Sequence, residues 1–352
     1  MKHNLPLEDV LFISLNTTGL NADFPYKRLR FKLNLAETGE DFFFGLPVRP
    51  GDSPFSYKPI VNEHEGALYL DDFLVGNISE AFDDTCDTTY TRRGGTVLNL
   101  NSMMKSVCSG CSFCTTNGQT PMDIANFLSE SQLRGLFDEF RDRYNKPDLS
   151  HLIQVALVTG CFRSEKRLVD HLCNIRRILR DYNFNGELFY FGSEITSEES
   201  FDILREKTEP FAFCLSLECF TRRDALLRDI KSRISFKSIL QILNSSQETG
   251  FQTNFSYIIG LDSSEEIKNN FPRLLQATNR FPIINVFQPH YNPDQSGLRM
   301  EEARKIEYYL NIREYLEGLY KGTSLRPRTW ENYRPLWYTT FANEELNGIR
   351  LP

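Results

Sequence analysis

No stretch of this 352-residue chain approaches the ~18–20 uncharged apolar residues that a membrane span needs. The first residues, Met1-Lys2-His3-Asn4, lead into mixed polar sequence and not an apolar signal core, so a cytoplasmic location is expected. An excess of basic charge is also missing. Lys and Arg number 40 against 47 Asp and Glu, a formal net charge of −7, whereas phosphate binding usually leaves a basic footprint. Nucleic acid is therefore disfavoured as a partner. A disulfide scaffold is disfavoured too, since such frameworks belong to short secreted chains. There is no internal repeat beyond a strand–helix unit, and no segment of low complexity.

What is present reads as an ordinary globular enzyme, with 40% hydrophobic and 25% charged residues. From about residue 96 to 290, short apolar runs alternate with amphipathic helical patterns. Residues 96–101 (TVLNLN) read as a strand, and after a loop Leu133, Leu136, Phe137, Phe140 and Tyr144 recur at helical spacing. Residues 153–159 (IQVALVT) are mostly apolar, as a buried parallel strand should be. Leu168, Leu172, Ile175, Leu179 and Tyr182 then mark a helix face. The cycle repeats with strands over 187–191, 211–218, 253–260 and 283–288, and helices over 198–206, 236–248, 265–278 and 301–320. Thr196 or Ser197 would cap the first of these helices.

Six strand–helix units in series imply a parallel sheet with right-handed crossovers. Six are too few for a closed eight-fold barrel, so the expected fold is α/β, a partial (β/α)6 TIM-like barrel over residues 96–320. A doubly wound sheet would want a glycine-rich turn after the first strand, and here that turn holds cysteines. Residues 1–95 read as a small β-rich unit. In Lys27–Asn34, Leu29, Phe31 and Leu33 alternate with Arg28, Arg30 and Lys32, and 41–48 and 67–75 also look extended. Residues 321–352 carry Trp330, Tyr333, Trp337 and Tyr338 among prolines and arginines, and read as a tail packed across the barrel.

Eight cysteines occur: Cys86, Cys108, Cys111, Cys114, Cys161, Cys173, Cys214 and Cys219. Three of them fall within the seven residues Cys108-Ser-Gly-Cys111-Ser-Phe-Cys114, which is metal-site spacing. The scattered five default to small buried hydrophobes. Three close thiolates suit a cubane that keeps one iron free of protein ligands. Structural zinc needs four ligands, usually with a second CxxC or a His pair. Neither is evident, because no second CxxC exists and the five histidines are far apart. A zinc-bearing α/β binding protein without redox chemistry stays as the alternative.

With this loop placed after the first strand, the sequence resembles the radical S-adenosylmethionine (radical SAM) superfamily over about residues 96–290. The spacing departs from the usual CxxxCxxC, being CxxCxxC and one residue shorter. Such a loop must close more tightly, with Gly110 supplying unusual dihedrals. The resemblance implies a [4Fe–4S] cluster on Cys108, Cys111 and Cys114, with S-adenosylmethionine chelating the open iron and Phe113 near the adenine. It implies one electron from a ferredoxin- or flavodoxin-like donor, cleavage to methionine and a 5′-deoxyadenosyl radical, and hydrogen abstraction from a substrate. The short spacing also permits cleavage of another carbon–sulfur bond, giving a 3-amino-3-carboxypropyl radical. A small-molecule substrate is expected; a peptide stays open, since the β-rich unit could pair an extended chain at its edge.

Further candidates follow singly from the resemblance. Gly160, ending the second strand, would contact the methionine amino group, or is a plain turn. Ser216 and Glu218 share a face at the end of the fourth strand, where a carboxylate is costly unless paired, and would bind ribose or the amino group. Ile258 and Gly260 match a segment that packs on adenine, or are simply a strand and its turn. Gln288 and His290 follow the sixth strand, at the end where barrel catalytic groups gather. Arg233 and Lys237 are possible partners of the methionine carboxylate, or merely solvated. Cys161 and Cys219, just past the second and fourth strands, would donate a hydrogen atom, bind substrate, or only pack. An auxiliary cluster has no CxxC signature here.

Overall fold

The computed structural model describes residues 5–62, 64–84, 89–105, 110–114, 117, 126–158, 162, 164–290, 294–332 and 334–346. The chain opens with a helix, α1 (Leu7–Thr18), and then builds strands β1 (Arg28–Leu35), β2 (Asp41–Pro47), β3 (Phe55–Asn62), β4 (Glu65–Leu70) and β5 (Phe73–Asp83). These pair antiparallel in the order β2-β1-β5-β4-β3. The alternation in β1 sends Leu29, Phe31 and Leu33 into a core shared with Phe12 and Leu15 of α1.

The second sheet begins at β6 (Tyr90–Arg92), which lies antiparallel to β7 (Val97–Leu100). A short pair, β8 (Met103–Lys105) with β9 (Asn126–Phe127), flanks the cysteine segment. Then come α2 (Glu130–Arg143), β10 (Gln154–Leu157), α3 (Glu165–Asp181), β11 (Glu187–Gly192), α4 (Glu198–Thr208) and β12 (Phe211–Glu218). Short helices α5 (Arg223–Leu226) and α6 (Asp229–Arg233) precede α7 (Phe236–Glu248), β13 (Gln252–Ile259), α8 (Ser264–Leu275), β14 (Ile283–Val286) and α9 (Ile306–Tyr320). The sheet order is β14-β13-β12-β11-β10-β7-β6, with β7 and β10 to β14 all parallel. This is the expected partial barrel of six strand–helix units, curled as a half barrel.

Local chemistry sets the helix starts. Ser129, Ser164, Ser197, Ser235 and Ser263 each accept the backbone N–H three residues on, beginning α2, α3, α4, α7 and α8. The sixth helix starts later than the expected residue 301. Glu302 instead accepts Ser264 N–H at 2.6 Å, stabilising the first turn of α8. Lys305 is then extended (φ −104°, ψ 140°), which breaks the helical path before α9.

Alternate strand residues serve two cores. Phe213, Leu215 and Leu217 of β12 and Phe255 and Tyr257 of β13 pack outward against the helices. Ala156, Phe189, Ala212, Cys214 and Ile283 fill the inside of the curl. With both faces buried, the strands read as near-continuous apolar runs.

The tail closes the open side. Arg92 of β6 donates to Trp330 O at 3.0 Å, and Val286 N–H of β14 donates to Arg334 O at 2.6 Å. Trp330 and Arg334 thus contact the two edge strands, and Arg334 pairs with the backbone edge of β14. Helix α1 belongs to both units: Phe12 packs on the first sheet and Ile13 in the barrel core. Its buried Asp9 pairs with Arg313 of α9 and accepts Thr339 N–H at 2.9 Å. Among the described residues, no helix is long and apolar enough to cross a membrane.

Candidate active site

The ends of β10 to β14 make one rim, and residues 110–114 lie over it. Gly110 has φ 77°, a left-handed conformation that glycine adopts without a Cβ penalty. Ser112 is the fastening point. Its N–H donates to Leu226 O at 2.8 Å and its Oγ to Ala225 O at 2.9 Å. Gln295, beyond β14, donates to Ser112 O at 2.9 Å. Cys114 N–H donates to Cys111 O at 2.8 Å, forming a tight turn. Cys111, Phe113 and Cys114 thereby share one apolar cluster with Cys219, Ile258 and Phe287.

The platform under Ser112 is held by Asp262, fully buried after β13. One carboxylate oxygen accepts Phe220 N–H at 2.7 Å and the Tyr257 hydroxyl at 2.6 Å. The other accepts Thr221 N–H at 2.9 Å as well as the Thr221 hydroxyl. A buried carboxylate is tolerated only with such a full set of donors.

Ser216 and Glu218 converge on Lys231, whose Nζ lies 3.1 Å from Ser216 Oγ and 3.4 Å from Glu218 Oε1. The β12–β13 register shifts between Ser216 and Glu218, and Glu218 itself has φ 67°. A non-glycine residue there costs energy, and such strain clusters at functional sites. On the neighbouring β13, Asn254 Oδ1 and Ser256 Oγ are buried, and among the described residues neither has a hydrogen-bond partner.

Gly260 has φ 111°, and a Cβ there would stand 3.0 Å from Tyr309 Oη and 3.1 Å from Phe287 Cβ, so a side chain would be both strained and crowded. Ile258 is buried beside Cys111. Gln288 is engaged elsewhere: it accepts from Arg28 at 2.9 Å and donates to Asn16 at 2.6 Å, joining the barrel to the first unit. His290 is buried, its Nδ1 has no partner among the described residues, and burial, helped by Arg28 and Arg334, lowers its pKa to about 3. Cys219 is fully buried, which pushes its thiol well up. Arg233 and Lys237 are exposed. Cys108, Gly160, Cys161, Cys86 and Tyr333 lie outside the described residues.

Two site residues have no place in the sequence reading. Glu194, buried after β11, accepts Phe162 N–H and Ser193 N–H at 3.1 Å and pairs with the Tyr190 hydroxyl. Its signal is the same as that of Glu218, a carboxylate just past an apolar strand (FYFGSE). Arg334 gave no such signal, because the tail is aperiodic.

The donor set around Cys111 and Cys114 is apolar and thiol-rich. Burial pushes the Cys111 thiol up to about 11, with Lys231 opposing. A bound cation reverses that preference and holds the thiolate. The apolar surroundings of Cys111 and Cys114 suit a cluster, and the orphaned Ser256 and Asn254 oxygens suit a polar ligand beside it. The residues present fit. Among the described residues no group of three His, Cys, Asp or Glu is gathered as a metal site, and Cys108 is not one of them.

No protein-family model and no curated protein matches the chain. Solved structures do match. SuiB of Streptococcus suis, bound to its precursor peptide SuiA, is 12% identical with a TM-score of 0.43, covering 64% of this chain and 45% of its own. Methylornithine synthase (PylB) is 13% identical with a TM-score of 0.47, covering 65% and 64%. Coproporphyrinogen III oxidase (HemN) from Escherichia coli is 15% identical with a TM-score of 0.41, covering 64% and 51%. The chain spans about half the length of the first of these. Of these, HemN is a radical SAM enzyme.

Proposed function

We propose that the chain is a radical SAM enzyme, with Cys108, Cys111 and Cys114 holding a [4Fe–4S] cluster at the mouth of the half barrel. The observation that carries this reading is the fastening of Ser112, which sets Cys111 and Cys114 against the strand ends at Ile258 and Phe287. When bound, the cluster and S-adenosylmethionine supply reductive cleavage of a carbon–sulfur bond and a radical that abstracts hydrogen from the substrate.

The chain's own residues bind and shield. Phe113, Ile258 and Gly260 offer an apolar surface, closely approached at the glycine, for the adenine. Ser216 and Glu218 accept from ribose or amino groups, and Lys231 balances the buried Glu218 charge in the meantime. Gly160 is assigned to the methionine amino group. The end of the barrel opposite the rim is shut, with Arg280 bonded to Glu187 at 2.9 Å and paired with Glu331. Shutting that end keeps water from reactive species. A ferredoxin- or flavodoxin-like protein in the cytoplasm is the electron source we assign, and a small molecule the substrate.

The test is anaerobic reconstitution followed by metal analysis and reaction with S-adenosylmethionine and a chemical reductant. About four irons and four sulfides per chain are expected, as one cubane requires, with 5′-deoxyadenosine as product. Methylthioadenosine in its place would assign cleavage to the other bond. Stoichiometric zinc without iron would overturn the reading. Alanine at Cys108, Cys111 or Cys114 abolishes cleavage, whereas Cys173→Ala, in the middle of α3, leaves the cluster intact.

A further inference from the structure

The rim has a second polar side, on β14 and the tail, that the assignment of Glu218 and Lys231 does not use. Arg334 is set there by its backbone: its N–H donates to Asn285 Oδ1 at 3.1 Å and its carbonyl accepts from Val286. Its guanidinium makes no hydrogen bond and no ion pair with any described residue, and its Nε is buried. The nearby carboxylates are already engaged. Asp84 is shared by Arg28 at 3.1 Å and Arg30 at 2.5 Å, and Glu218 is taken by Lys231. Among the described residues, Asp84 and Glu218 are thus already paired with other cations. Arg334 is partly buried, and desolvation with the neighbouring Arg28 charge lowers its pKa to about 10. The adjacent His290 Nδ1 also has no partner among the described residues.

Resting on the radical SAM reading for the reaction itself, we propose that this side of the mouth holds the substrate, and that the substrate bears a carboxylate received by Arg334. A guanidinium presents parallel N–H groups that match a carboxylate in a bidentate pair. An unpaired, partly buried charge is costly, and an anionic ligand removes that cost. The carboxylate of S-adenosylmethionine is the other possible source of the same chemistry. The two sources are separable by experiment, because only the substrate's carboxylate is mimicked once S-adenosylmethionine is already bound.

The experiment uses reconstituted protein saturated with S-adenosylmethionine, titrated with succinate, with its neutral diamide, and with inorganic phosphate. Succinate binds and the diamide does not. Arg334→Gln weakens succinate about tenfold or more, the loss expected of a charged hydrogen bond. Arg334→Lys is intermediate, and S-adenosylmethionine affinity is unchanged in both. Equal succinate affinity in parent and Arg334→Gln overturns the proposal. So does loss of S-adenosylmethionine affinity instead, or preference for phosphate. Should the variants not fold, labelling of Arg334 by phenylglyoxal in the parent serves: succinate slows it and the diamide does not, and equal rates overturn the proposal. Iron content of the same preparation keeps the two readings apart, since succinate binding without iron removes the radical SAM reading and leaves the anion site.

Discussion

Glu218 and Lys231 stand 3.4 Å apart at the rim of the half barrel, the carboxylate side chain 8% exposed and the ammonium 21%. The strand shifts register and takes a left-handed turn to present Glu218 there. A strained, paired carboxylate at the rim makes several consequences of the proposed function measurable.

Glu218→Gln keeps shape and removes charge. Its expected effect is weaker S-adenosylmethionine binding, by roughly 1.5–3 kcal/mol for a charged hydrogen bond lost in a dry site. The iron–sulfur absorption spectrum stays that of the parent. Unchanged affinity in a folded variant would return Glu218 to a structural role.

Asp262 holds the segment on which Ser112 rests, through Phe220, Thr221 and Tyr257. Asp262→Ala leaves those buried donors unpaired, and stability should fall by about 2–4 kcal/mol. The cysteine loop loses its platform as well, so iron per folded chain after reconstitution drops. Denaturant midpoints and iron content read the two effects separately.

His290 sets a pH dependence whose sign is fixed. Burial first, then Arg28, Arg334 and Lys27, hold its pKa at about 3, with Asp84 opposing. The unfolded chain takes up a proton near the ordinary ~6.5. Between about pH 6.5 and 3 the unfolded state therefore binds more protons, and stability falls as pH falls. His290→Asn should lose less stability than the parent between pH 7 and 5, by on the order of 1–2 kcal/mol. Urea midpoints at the two pH values measure this. His171, held at about 4 by burial, leaves part of the acid limb in both proteins.

Cys219 is fully buried in the cluster that contains Cys111. Burial keeps it a protonated thiol, the form that donates a hydrogen atom to a carbon radical. Cys219→Ala should form 5′-deoxyadenosine as the parent does while its final product is lost or diverted. Product yields equal to those of the parent would leave the thiol a packing role only.

The amino-acid sequence by itself determined the six strand–helix units, because each is written in spacing of two to four residues. Residues 211–218 and 236–248 coincide with β12 and α7, and serines at the helix starts cap locally. The cysteine trio was legible for the same reason. Helix α1 was not: it is apolar on more than one side, since it packs against both sheets. Tertiary structure alone decided the fastening of Ser112 to Ala225 and Gln295, the bridge from Arg92 to the tail, and the unpaired Arg334. Those partners lie as far as 238 positions apart in sequence. No local period records such contacts, because they arise only when burial of the strand faces brings the edges of the sheet together.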